Sequence, residues 1–278
     1  MTWQWLRKSG AAGLMAIVFA SSAQSADWPT DPKLNGNYFL TPGLLQLQTD
    51  TQNSPISLWL DKGAALWADT SGGPSCQSCH GAVDALKKSA ASFPRIVSKA
   101  AGKTNLVNLE DQIITCSARS GREAFKVEED EVLSLSALLH NAAKGQMIDV
   151  KVDSKADLKA DLKASADHRD IWQARLSRGA QLFNTRLGRI NLACVHCHDQ
   201  NVGRQMRLDV VSPGHPTGFP IYRMSWQRLG SVERRLRACY SGVQAVLPLP
   251  GDADLRDLEL YLKVRANGMP IDGPSIRR

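Results

Sequence analysis

Cys76-Gln77-Ser78-Cys79-His80 and, 118 positions further on, Cys194-Val195-His196-Cys197-His198 decide how this chain is read. Both are C-x-x-C-H, the attachment pattern of c-type haem. Two thiols add across the vinyl groups on one edge of the porphyrin, and the adjacent His gives the proximal nitrogen to iron. One copy would leave a thioredoxin-like or zinc reading open. Two copies, each with His next, point to two covalently bound c-type haems held by Cys76, Cys79, His80, Cys194, Cys197 and His198, with His80 and His198 as iron ligands.

Working outward, the flanks repeat as well. Gly63-Ala64-Ala65-Leu66-Trp67 precedes the first motif and Gly179-Ala180-Gln181-Leu182-Phe183 the second. Behind them, Leu133, Leu135, Leu138 and Leu139 lead to Ala143-Lys144-Gly145-Gln146-Met147, as Leu258, Leu260, Tyr261 and Leu262 lead to Ala266-Asn267-Gly268-Met269. Apolar residues spaced three and four apart, with each run ending at Gly, predict helices on both sides of each motif. The expected fold is all-α, with tandem cytochrome c-like haem domains at 27–148 and 171–278. Between them, 149–170 reads as a linker. Its repeat Lys155-Ala156-Asp157-Leu158-Lys159-Ala160-Asp161-Leu162-Lys163 would stack like charges at i,i+4 in a helix and alternates charged and apolar faces if extended.

Arg7 and Lys8, the apolar run Ala11 to Ala20 and the small residues up to Ala26 form a secretory signal, so 1–26 is expected to be removed and the mature chain exported. That run is too short for a membrane span. The 278 residues are 43% apolar and 22% charged, a folded and non-fibrous composition. Loss of 1–26 would take the net charge from +7 to +5, a surplus suited to an anionic substrate. Without clustered Lys/Arg tracts it does not suit nucleic acid.

The two remaining cysteines carry the chemistry. Cys116 follows Cys76 by 40 positions and Cys239 follows Cys194 by 45. A Cys116–Cys239 disulfide is one reading, natural for an exported chain. The duplication more simply gives each the same job in its own half, that of distal iron ligand, and thiolate suits ferric haem. The competing ligands are Met147 and Met269, as in electron-carrying cytochromes. Of the other histidines, His140 reads as a helix-surface residue, His168 as part of the linker, His196 as a motif residue turned away from iron and His215 as a loop residue. Arg234, Arg235 and Arg237 precede Cys239, and Arg235 stands one helical turn before it. A guanidinium there favours thiolate and grips a small oxyanion at two points, which makes the second haem the expected site of chemistry.

Leu187 to His198, Pro220 to Ser231 and Arg234-Arg235 through Cys239 resemble the SoxA subunit of the SoxAX cytochromes of bacterial thiosulfate oxidation, in its dihaem form. The resemblance implies His80/Cys116 and His198/Cys239 ligation, with Cys239 the persulfide-forming cysteine and Arg235 the substrate-binding arginine. It implies a monohaem SoxX partner in a periplasmic heterodimer, a SoxYZ carrier whose cysteine is coupled to thiosulfate, and a c-type cytochrome as electron acceptor. The expected activity is thus L-cysteine S-thiosulfotransferase. A His/Met electron carrier without bond-forming chemistry is the alternative.

Overall fold

In the computed structural model, residues 33–50, 52–98, 104–119, 121, 123–151 and 162–278 are described. The expected signal segment and most of the Lys-Ala-Asp-Leu repeat lie outside them. The helices are α1 (Pro42–Thr49), α2 (Ile56–Ala68), α3 (Cys76–His80), α4 (Lys87–Ala90), α5 (Leu109–Arg119), α6 (Asp130–Ala142), α7 (Leu162–Asn184), α8 (Cys194–His198), α9 (Val232–Gly242) and α10 (Ala253–Arg265). The last nine positions of the expected linker therefore belong to a helix, α7, which also carries His168.

The repeated glycine motifs mark two equivalent helix crossings. α2 packs on α6 and α7 on α10. A Cβ on Gly63 would lie 2.4 Å from the Ser134 carbonyl oxygen, and one on Gly179 would lie 2.1 Å from that of Asp257. Only glycine lets the backbones meet so closely. The segments that close the two halves then pair with each other. The Gly145 N–H donates to the Ile271 carbonyl and Ile271 N–H to Gln146, while Ile148 N–H donates to Met269 and Gly268 N–H to Ile148, each at 2.9 Å.

The halves share their apolar core. Trp67, Leu135, Leu139 and Ile148 cluster with Trp172, Leu260, Met269 and Ile271. A second cluster joins Ile56, Leu133 and Ala137 to Tyr222, Leu229 and Ile276.

About half of the described chain is helix, in keeping with a cytochrome c fold, but it is not all-α. β1 (Arg95–Ser98) pairs antiparallel with β2 (Thr104–Val107), and β3 (Gln205–Met206) with β4 (Asp209–Val210). A three-stranded sheet places β5 (Ile221–Arg223) between antiparallel β6 (Arg228–Gly230) and parallel β7 (Ser275–Arg277). Burial of Tyr222, Leu229 and Ile276 against α6 holds this sheet in place. No helix among the described residues is long and apolar enough to cross a membrane.

Candidate functional site

The first C-x-x-C-H opens a short helix because Ser75 caps it, accepting from the Ser78 N–H at 3.0 Å. Trp67 supports it from α2, donating from its indole to the Gly81 carbonyl at 3.1 Å. Its ring lies 6.1 Å from that of His80. Cys76, Cys79 and His80 line one cavity of about 360 Å³ together with Cys116 and apolar residues that include Phe93, Ile113, Leu135 and Leu139. The volume falls in the range of cofactor sites, and a thiol-and-imidazole set among apolar walls is the donor set that a covalent haem requires. Cys116 is in turn hydrogen-bonded by Gln112, whose Nε2 lies 3.1 Å from its Sγ.

At the second motif, His196 is taken up locally, its Nδ1 accepting from the Ala193 N–H at 2.9 Å. His198 Nδ1 lies 2.7 Å from the Ser212 carbonyl oxygen. A carbonyl can only accept, so this bond puts the proton on Nδ1 and leaves Nε2 for a metal. His198 is among the groups that act electrostatically on the Cys239 thiol. The thiols of Cys194 and Cys197 are also close, since burial first and Cys239 second push Cys194 up to about 11 and raise Cys197. The second motif is thereby joined to its own additional cysteine, as the first is to Cys116.

The two extra cysteines are not paired with each other in a disulfide. Burial works to raise Cys239, yet Arg235, His198 and Arg223 outweigh it and bring the thiol down to about 7. Among the three arginines that precede it, Arg234 turns to Glu128 at 3.7 Å and Arg237 donates to the Pro248 carbonyl at 3.0 Å. Arg235 is the one of the three whose charge acts on Cys239. Arg223, in β5, was not picked out from the sequence. Its side chain is held by Asp209 at 3.5 Å and by the face of Trp226 at 5.4 Å, with Arg234 on that ring at 5.0 Å. Trp226 thus orders two arginines. Burial and the nearby Arg235 together lower Arg223, and both guanidinium groups act on the Cys239 thiol.

The rival methionines stand elsewhere. Met147 is 58% exposed and Met269 is buried in the shared core. Neither lines the first cavity. His140 is 5% exposed, not a surface residue, because α6 is enclosed on nearly all sides. His215 is a buried loop residue bonded through Nδ1 to the Leu34 carbonyl at 3.1 Å.

The family model SoxA/TsdA, cytochrome c domain, matches residues 62–148. The L-cysteine S-thiosulfotransferase subunit SoxA of Chlorobaculum tepidum is 30% identical over 230 residues, which cover 81% of this chain and 72% of that protein. The chain belongs to the SoxA family. The SoxA subunit of Paracoccus pantotrophus is 28% identical over 89% of this chain and 80% of its own length. The crystal structure of SoxXA from P. pantotrophus superposes with a TM-score of 0.74 at 28% identity, covering 88% of this chain and 86% of that one.

Proposed function

We propose that this SoxA-family chain is the catalytic subunit of an L-cysteine S-thiosulfotransferase that couples thiosulfate oxidatively to a cysteine of a SoxYZ-type carrier, with a SoxX-type cytochrome as its partner. The feature that carries this reading is the buried Cys239 thiol, which the charges of Arg235 and Arg223, with His198, bring down to about 7 against the effect of burial. An electron carrier has no use for two guanidinium groups at a distal sulfur. An enzyme that binds a dianion does. Coupling a thiol to thiosulfate forms one S–S bond, releases one proton and gives up two electrons, which leave for a c-type cytochrome acceptor.

The family assignment brings covalent c-type haem with it, and a bound haem would supply a one-electron acceptor. We take the number as two, with Cys76, Cys79, Cys194 and Cys197 as the thioether residues. His80/Cys116 and His198/Cys239 are the iron ligands in this reading. The shared cavity of Cys116 with the first motif and the electrostatic tie of Cys239 to the second support it. So does the removal of Met147 to the surface. The repeated glycine crossings support a division into haem units at 27–148 and 171–278 joined through 149–170, despite the core they share. A signal at 1–26 fits a periplasmic location.

Within the site, Arg235 and Arg223 bind and orient the oxyanion end of thiosulfate, while Ser212 fixes the His198 ring. Arg235→Lys keeps the charge and loses the planar two-point grip. Turnover of thiosulfate with SoxX and SoxYZ partners should fall at least about tenfold, a loss of ~1.4 kcal/mol, with haem content unchanged. Unchanged turnover would remove Arg235 from the binding machinery.

A further inference from the structure

Arg256 in α10 is 5% exposed, and its guanidinium holds carboxylates from two other helices. Nε and Nη2 donate to the two oxygens of Asp111 at 2.6 and 2.7 Å. Nη1 donates to Glu233. Asp111 lies in the first turn of α5, five positions before Cys116, and Glu233 lies in the first turn of α9, six positions before Cys239. Each carboxylate also fixes its own chain locally. Asp111 accepts from the Asn108 N–H at 3.2 Å while Asn108 Oδ1 accepts from the Asp111 N–H at 2.9 Å, a closed cap on α5. Glu233 accepts from the Gly251 N–H at 2.8 Å, which ties α9 to the loop that enters α10.

One side chain thus anchors the first turns of both helices that carry the additional cysteines. We propose that Arg256 is a common positioning residue for Cys116 and Cys239, setting both sulfurs at their haems through Asp111 and Glu233. The inference rests on the reading of those cysteines as iron ligands. Its lever is geometric. Five residues of helix span roughly 7.5 Å, so a tilt of about 10° at the anchored end moves the sulfur by about 1 Å, more than a metal–sulfur bond tolerates. The bidentate pair with Asp111 resists such a tilt better than a single contact does.

The experiment uses the haem-loaded chain and reads the ferric low-spin thiolate signals by electron paramagnetic resonance, assigned to each haem with Cys116→Met and Cys239→Met. Arg256→Met should split both thiolate signals into more than one species. Asp111→Asn should disturb the Cys116 haem alone, and Glu233→Gln the Cys239 haem alone. These two near-isosteric changes keep the test open should Arg256→Met fail to fold. Lowered melting temperatures with both signals intact in the two single-end variants would overturn the inference and leave Arg256 a fold residue. Equal disturbance of both haems by Asp111→Asn and by Glu233→Gln would overturn it too, as general loosening. A wild-type protein with no thiolate signal would instead overturn the ligation reading, and this inference with it. The two failures are therefore distinguishable.

Discussion

Replacing His140 by Gln tests the electrostatics of the interior that the two halves share. Burial, with the nearby Lys263 as a lesser cause, pushes His140 down to about 3, and its Nδ1 is engaged by the Ser136 carbonyl at 2.9 Å. The folded chain therefore keeps this ring neutral, whereas the unfolded chain protonates it near the ordinary value of 6.5. Below that pH the unfolded state binds a proton that the native state refuses. The contribution is whole above 6.5 and is lost progressively toward 3. Between pH 7 and pH 5 the loss is about 2 kcal/mol. Glu110 and Glu259 work in the opposite sense. Burial raises both, Glu259 to about 7, so the native state gains as they take up protons. They are present in both proteins, and so is the covalent haem, so the difference between wild type and His140→Gln isolates the imidazole. Urea unfolding at pH 7 and pH 5, followed by far-ultraviolet circular dichroism, should show the wild type losing about 2 kcal/mol relative to the variant. A difference that stays constant to within about 0.5 kcal/mol would refute the reasoning.

The duplicated crossings predict that Gly179→Ala, with its Cβ 2.1 Å from the Asp257 carbonyl oxygen, costs about 3 kcal/mol in thermal melts, and that Gly63→Ala at 2.4 Å from Ser134 costs somewhat less. A gain in stability from alanine's better helix propensity would contradict both. Mass spectrometry after acid-organic extraction should find two haems per chain, one of them lost when Cys194 and Cys197 are both replaced by Ser. One haem on the wild type would contradict the duplicated reading.

The attachment motifs and the repeated glycine-led flanks could be read in the sequence because each is a local pattern, whereas the helix crossings those glycines permit could not. What escaped notice depends on partners far along the chain. β5 is a strand because β6 and β7 flank it, and β7 lies more than fifty residues away. Arg223 was hidden with it. His140 read as surface because Ser134, Ser136 and His140 give α6 a polar composition, yet all three are buried. α10 hides its role in the same way. Arg256, Asp257, Glu259 and Lys263 are buried there, and their partners come from other elements. Hydrophobic periodicity equates buried with apolar, whereas α6 buries small hydroxyls and a neutral imidazole and α10 buries paired charges.

In the proposed function, chemistry happens at Cys239 and not at Cys116. This is tested most directly by thiosulfate-dependent reduction of an external cytochrome c with SoxX and SoxYZ partners, comparing Cys239→Ala with Cys116→Ala at matched haem occupancy. Cys239→Ala should abolish turnover, whereas Cys116→Ala should alter the first haem's spectrum and retain a measurable share of the rate. Full turnover in Cys239→Ala, or equal losses in the two variants, would contradict the account.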